Sequence, residues 1–182
     1  MNKKLKWTLI VLVSMVIILS GLFKYLQYQT KKASPEGIAE YTKNGKQLSV
    51  FYCRPSVRNR IIFDSLVPYG KIWRTGANEP TTFTSGTEIK IGDKTLSAGT
   101  YTLWSIPNKD TWSVIFNSKQ YGWGVNFGGE ASREPQYDVL TTTVPVEKLI
   151  NQVEQLSISF EDSSDLKMVL AWEKTRVAVP IK

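Results

Sequence analysis

The sequence predicts an all-β domain, an antiparallel β-sandwich, behind a single N-terminal transmembrane helix. Three observations carry this. An uncharged, largely apolar run extends from Trp7 to Phe23, and turn residues punctuate the chain beyond Ala39 at intervals of roughly 8–12 residues. Helical periodicity is almost absent over that second stretch.

The apolar run spans about 26 Å as a helix, at about 1.5 Å per residue. Extension to Leu26, with Lys24 snorkelling, gives about 30 Å, the depth of a bilayer core. Trp7, Tyr25 and Tyr28 fall where an aromatic belt would lie. Residues 7–26 are therefore expected to have the lipid bilayer as their partner. A cleaved signal peptide has a shorter apolar region and a small-x-small site; here Ser20-Gly21 is the nearest approximation, so the segment reads as a retained signal-anchor. Lys3, Lys4 and Lys6 precede the run and Lys24, Lys31 and Lys32 follow it, so lysine counting barely sets the orientation. An inside N-terminus follows from the usual behaviour of a single N-terminal anchor. The expected organisation is a flank and anchor over 1–28, a polar linker over 29–38 and the β-sandwich over 39–182.

Net charge is +7 for the whole chain, yet residues 33–182 carry 17 Lys+Arg against 16 Asp+Glu. The basic excess belongs to the membrane flanks, which removes the main support for nucleic-acid binding. The single cysteine, Cys53, allows no intramolecular disulfide and reads as an inward-facing small apolar residue.

Along the chain, Ala39–Lys43 and Gln47–Cys53 flank Asn44-Gly45, the dipeptide of a type I′ hairpin. Strands are expected next at Thr81–Thr84 and Thr87–Ile91, with a turn at Gly92-Asp93-Lys94. Thr100–Ile106 and Thr111–Asn117 follow, around Pro107-Asn108-Lys109-Asp110. In the first of these, Tyr101, Leu103 and Ser105 share one face, and Thr102, Trp104 and Ile106 the other, which suggests burial on both sides. Asp138–Val146, Val153–Phe160, Leu166–Glu173 and Arg176–Ile181 complete the set. Only Ile61–Leu66 and Val146–Ile150 have room for a helical turn or two.

The chain contains no histidine. Ser-His-Asp and Cys-His catalysis and ordinary zinc or copper sites are thereby excluded. The acidic turn at Glu161, Asp162 and Asp165 lacks the pattern of a calcium loop, and no metal or cofactor is expected. Ser164-Asp165-Leu166-Lys167 matches S-x-x-K only by chance, because the serine lies in a turn. Gly122-Trp123-Gly124 through Gly128-Gly129 has no strand–loop–helix context for phosphate. It reads as a mobile loop whose Tyr121, Trp123 and Phe127 form a secondary binding surface or fold back onto the sandwich.

One segment breaks the strand pattern. Arg54 to Arg60 and Lys71 to Pro80 gather four of the six arginines with an indole, an amide and a carboxylate. Arg54, Arg58, Arg60 and Arg74 present planar forks suited to an anion, Trp73 offers a stacking wall, and Asn78 and Glu79 can orient hydroxyls or the arginines. The same residues also serve a structural reading, in which Arg74 pairs with Glu79, Trp73 is core and Asn78 pins a corner.

Arg54-Pro55-Ser56, Leu66-Val67-Pro68-Tyr69-Gly70, Trp73-Arg74-Thr75-Gly76-Ala77-Asn78-Glu79, Ala98-Gly99-Thr100-Tyr101 and Trp112-Ser113-Val114-Ile115 together resemble a bacterial family of unknown function, met in exported envelope proteins. The resemblance covers about residues 36–181. That family commonly has glycine where Asn59 stands and near Asp64-Ser65. The resemblance implies an exported all-β domain, on the outer side of the bacterial cell membrane, and transfers no catalytic residue.

The expected function is non-catalytic binding of a small anionic or sugar ligand, or of an envelope protein, through Arg54–Arg60 and Trp73–Glu79. An enzyme acting on a glycan through carboxylates such as Asp64 and Glu79 is the alternative from another class. A protein–protein interaction module using a sheet edge is the third.

Overall fold

The computed structural model describes residues 2–182. The chain forms two units, a helical segment ending at Ala33 and a β domain over Ser34–Lys182.

Helix α1 runs from Lys3 to Ala33 with no buried residue. Its apolar stretch has a mean hydropathy of 2.4, enough by length and composition to cross a membrane. Three lysines in its first turn oppose the macrodipole, whereas Lys31 and Lys32 in the last turn complement it. The helix passes straight through the start of the expected linker. Gln29 Nε2 donates to Tyr25 Oη at 2.8 Å, and the Lys32 ammonium sits 4.5 Å above the Tyr28 ring. Only Ser34 and Pro35 separate α1 from the first strand, instead of residues 29–38. The residue before a proline is pushed out of the helical region, which explains the stop at Ala33.

The β domain contains β1 (Glu36–Lys43), β2 (Lys46–Cys53), β3 (Thr81–Ser85), β4 (Ile89–Ile91), β5 (Lys94–Leu96), β6 (Gly99–Pro107), β7 (Thr111–Asn117), β8 (Asp138–Asp162) and β9 (Leu166–Pro180). Seven strands form one antiparallel sheet in the order β1-β2-β3-β6-β7-β8-β9, and β4-β5 is a separate hairpin. Asn44 and Gly45 have φ of 51° and 73°, the left-handed pair of a type I′ turn.

The sheet curls because β8 changes partners along its 25 residues. Its first part pairs with β7 through Pro145, and its later part pairs with β9 from Val146 to Asp162, across two register shifts. At those shifts the chain leaving β2 joins β8. Val57 N donates to Glu154 O at 2.7 Å, and Leu156 N donates to Pro55 O at 2.9 Å. Tyr52 Oη clamps the same place, donating to Ile158 O at 3.2 Å and accepting from Ile158 N at 3.0 Å. The two faces of the expected sandwich thus come from one curled sheet.

Val146–Ile150 is strand rather than helix, since it pairs with Val177, Arg176 and Thr175. Ile61–Leu66 is a turn closed by Val67 N donating to Ile62 O at 2.8 Å; Asp64, at φ 68°, cannot continue a right-handed helix.

The core holds Val50, Phe83, Leu103, Phe116, Leu156 and Met168, all fully buried. Beside them Phe63, Trp73, Trp112 and Trp172 pack mutually, with Trp73 stacked on Trp172 at 5.9 Å. Central β6 is buried on both faces, as its alternation predicts. Leu103 faces the core, and Trp104 is covered by Tyr121, edge-on at 5.5 Å.

Candidate functional site

The long crossing from β2 to β3 carries all seven residues expected to bind ligand. Arg54, Arg58 and Arg60 lie in its first part. Arg54 Nε donates to Leu156 O at 3.3 Å, and its stem lies so close to Gly37 that a Cβ there would approach Arg54 Cδ to 2.7 Å. Arg60 turns back on its own loop, donating from Nε to Val57 O at 3.0 Å and from Nη2 to Ser56 O at 2.6 Å. Arg58 N donates to Glu154 Oε1 at 2.9 Å. Arg58 and Asn59 adopt φ of 50° and 57°, so the turn keeps its left-handed backbone although asparagine replaces the glycine common in the resembled family. These contacts bind the crossing to β8 and to itself.

In the second part, Trp73 exchanges backbone hydrogen bonds with Ser105 at 2.8 and 2.9 Å, and its Nε1 donates to Gly76 O at 3.0 Å. The indole is 8% exposed, so it is core with one edge on a cleft rather than an open stacking wall. Thr75 is fully buried at φ 53°, an unfavourable conformation for a β-branched residue that costs of order 1–3 kcal/mol. Its environment holds it there: Oγ1 lies 2.9 Å from Ser105 Oγ, and its carbonyl accepts from Thr81 Oγ1 at 2.8 Å. Asn78, at φ 60°, gives its carbonyl to Gly124 N at 2.9 Å. Glu79 is half-buried against Cys53, whose Sγ lies 3.6 Å from Oε2. Asp64 sits on an exposed turn, and nothing joins it to Glu79 among the described residues.

The glycine-aromatic loop is a built hairpin. Asn126 N donates to Glu130 O at 2.9 Å and Ser132 N to Gly124 O at 3.1 Å. Asn126 Oδ1 accepts from Gly128 N and Glu130 N at 2.9 and 3.0 Å. Tyr121 folds back, its hydroxyl accepting from Glu134 N at 2.9 Å and donating to Asn117 Oδ1 at 3.2 Å. Trp123 is half-buried, and Phe127 at the tip is fully exposed.

Where this hairpin meets the crossing, Gly124 lies directly on Arg74. A Cβ at Gly124 would fall 2.1 Å from Arg74 Cδ and 2.9 Å from Asn78 O. The expected Arg74–Glu79 pair is absent. The Arg74 side chain makes no hydrogen bond or ion pair among the described residues, and its Nε is buried without an acceptor; the Arg74 carbonyl accepts from Thr81 N at 3.2 Å. Burial lowers the guanidinium's pKa, with the nearby Cys53 sulfur acting in the opposite direction. The residue borders a cleft of about 490 Å³. One wall is Leu66, Val67, Pro68, Lys71, Ile72 and Trp73 from the crossing; the other is Gly124, Val125, Gly129, Glu130 and Ala131 from the hairpin. Sequence reasoning found Arg74 and Trp73 but missed this second wall, because the glycines were judged without the surface they lie on.

The acidic turn is already engaged. Glu161 accepts from Arg176 Nη2 at 2.6 Å, and Asp162 Oδ2 accepts from Tyr41 Oη at 2.7 Å.

No curated protein and no solved structure matches the chain. Residues 34–181 match a family described as "Protein of unknown function (DUF2911)", which covers nearly the whole β domain and includes both walls of the cleft. The chain belongs to the DUF2911 family.

Proposed function

We propose that this protein is a membrane-anchored, non-catalytic binding module whose β domain takes a small anionic ligand, an anionic sugar included, in the Arg74 cleft. The anchor is α1, crossing the bacterial cell membrane with its N-terminus inside and the β domain in the envelope. Its 31-residue length, apolar middle and lysines at both ends support that placement.

The observation that carries the reading is Arg74, a largely desolvated guanidinium with no hydrogen-bond or ion-pair partner among the described residues, beside open volume. Buried charges are ordinarily paired, because desolvation without compensation is costly. An anion entering the cleft supplies the missing partner and recovers part of that cost. Trp73, at the cleft edge, provides an optical report of occupancy.

The test is a titration of the full chain in lipid nanodiscs with hexanoate, inorganic phosphate and glucuronate, following tryptophan fluorescence. At least one anion should bind saturably and lose its affinity in Arg74→Ala, with melting nearly unchanged. Failure of all three to bind in an Arg74-dependent way overturns the reading. Protease accessibility of the β domain in intact spheroplasts checks the orientation, and protection of the domain there would reverse it.

A further inference from the structure

The walls of the cleft narrow the ligand further, on the basis that Arg74 is its anchor. We infer that the ligand is a monoanionic carboxylate carrying an apolar chain, rather than a phosphate or another polyanion.

The first argument is the supply of donors. Phosphate sites are typically lined by unpaired backbone N–H groups. Here six of the lining amides are committed, three on each wall. Gly124 N is bonded to Asn78 O, Asn126 N to Glu130 O and Gly129 N to Asn126 O. Gly128 N and Glu130 N are bonded to Asn126 Oδ1. On the facing wall Leu66 N, Val67 N and Trp73 N are bonded to Ile61, Ile62 and Ser105 carbonyls, and Pro68 has no N–H. The charged donors available to a ligand are the Arg74 and exposed Lys71 side chains.

Charge gives the second argument. Glu130, on the hairpin wall, places a carboxylate at the same cleft and disfavours a second negative charge on the ligand. Arg74 and Lys71 against Glu130 leave one positive charge at the cleft, which calls for one anion. A planar guanidinium matches a carboxylate in shape and can engage it through two N–H groups. Nε is buried beside the Gly124 backbone, which leaves the terminal Nη groups as the ones reachable from the cleft.

Apolar side chains make up much of the remaining lining. Leu66, Val67, Ile72, Trp73, Val125 and Ala131 surround the volume next to Arg74. A chain attached to the carboxylate buries against them, and each added methylene should tighten binding roughly fourfold, the equivalent of about 0.8 kcal/mol.

The experiment is calorimetric titration of the full chain in nanodiscs, corrected against empty nanodiscs, with propanoate, butanoate, pentanoate and hexanoate. Inorganic phosphate and hexanol serve as comparison probes. Affinity should rise roughly fourfold per methylene. Phosphate, which lacks the chain, and hexanol, which lacks the charge, should each bind at least about tenfold more weakly than hexanoate. Arg74→Ala should abolish hexanoate binding, and Arg74→Met, which keeps the stem, should do the same. Two results leave the Arg74 anion site standing but overturn the carboxylate class: phosphate binding as tightly as hexanoate in an Arg74-dependent way, or no dependence on chain length. Hexanol binding as well as hexanoate, or no probe depending on Arg74, overturns both readings.

Discussion

The two ends of the β2–β3 crossing use the same residue type to opposite effect. Arg54 and Arg60 spend their forks on backbone carbonyls, at Leu156 and at Val57 and Ser56. Arg74, some fifteen residues on, is largely desolvated, and its side chain has no hydrogen-bond or ion-pair partner among the described residues. The first end resembles the stitching any ladder-less segment requires. The second violates the rule that buried polar groups are satisfied, as do the Trp112 and Trp172 indole nitrogens, but Arg74 alone of the three carries a formal charge. The difference lies in the surroundings: β8 offers a carbonyl to Arg54 and the loop itself offers two to Arg60, while the Gly124 hairpin offers Arg74 only backbone already in use.

The comparison can be broken or sharpened by substitution. The largest effect belongs to Trp73→Ala, which removes the indole stacked on Trp172 and packed against Phe63 and Trp112. Unfolding by urea should show a loss of about 3–5 kcal/mol. Gly124→Ala comes next. Its Cβ meets Arg74 Cδ and Asn78 O, so the hairpin must lift, at a cost of about 1–3 kcal/mol. Faster exchange of the Gly124 amide should accompany it; an unchanged exchange rate would show that the arginine stem simply yields.

Arg60→Ala removes two hydrogen bonds to loop carbonyls and should cost about 0.5–1.5 kcal/mol. Arg74→Met should, by contrast, be neutral or stabilising by about 1 kcal/mol, because it removes a desolvated charge that holds nothing. If Arg74→Met destabilised as much as Arg60→Ala, the contrast between the two ends would collapse.

The smallest effect is a pH dependence remote from the cleft. Tyr41 has its pKa raised above 10.0, chiefly by donating to Asp162. The folded protein keeps this proton in a range where the unfolded chain releases it. Stability from this pair is therefore full below pH 10 and declines as pH rises above it. Tyr41→Phe should flatten the difference in urea midpoint between pH 8 and pH 10.5.

Much of the fold was legible because local rules and the global sheet agree. Asn44-Gly45 demanded a type I′ turn, and Thr111–Asn117 read as a strand with its observed limits. The continuity of β8 was not legible. Glu147–Gln152 is polar enough to look like a break, yet it stays extended as the sheet passes from β7 to β9. At the site, the sequence singled out the tryptophan-arginine block because its spacing is irregular. It could not separate Arg74 from Arg54 and Arg60. That distinction depends on which carbonyls lie within reach: for Arg54 the carbonyl is 102 positions away, and for Arg60 the local turn had to fold first. Nor could it show that Gly124 exists to admit a neighbour, since a glycine's packing partner leaves no local signature.

The change of partners within β8 bears on how the molecule is made. Contacts such as Arg54 with Leu156 and Tyr52 with Ile158 span 102 and 106 residues. Trp172, on which Trp73 stacks, arrives ten residues from the end of the chain. During synthesis the first part of the crossing therefore emerges well before its partners in β8, and Trp73 waits for Trp172 in β9. So many distant pairings favour slow folding. A chain stopped before β9 would carry every residue of the cleft without the indole that backs it.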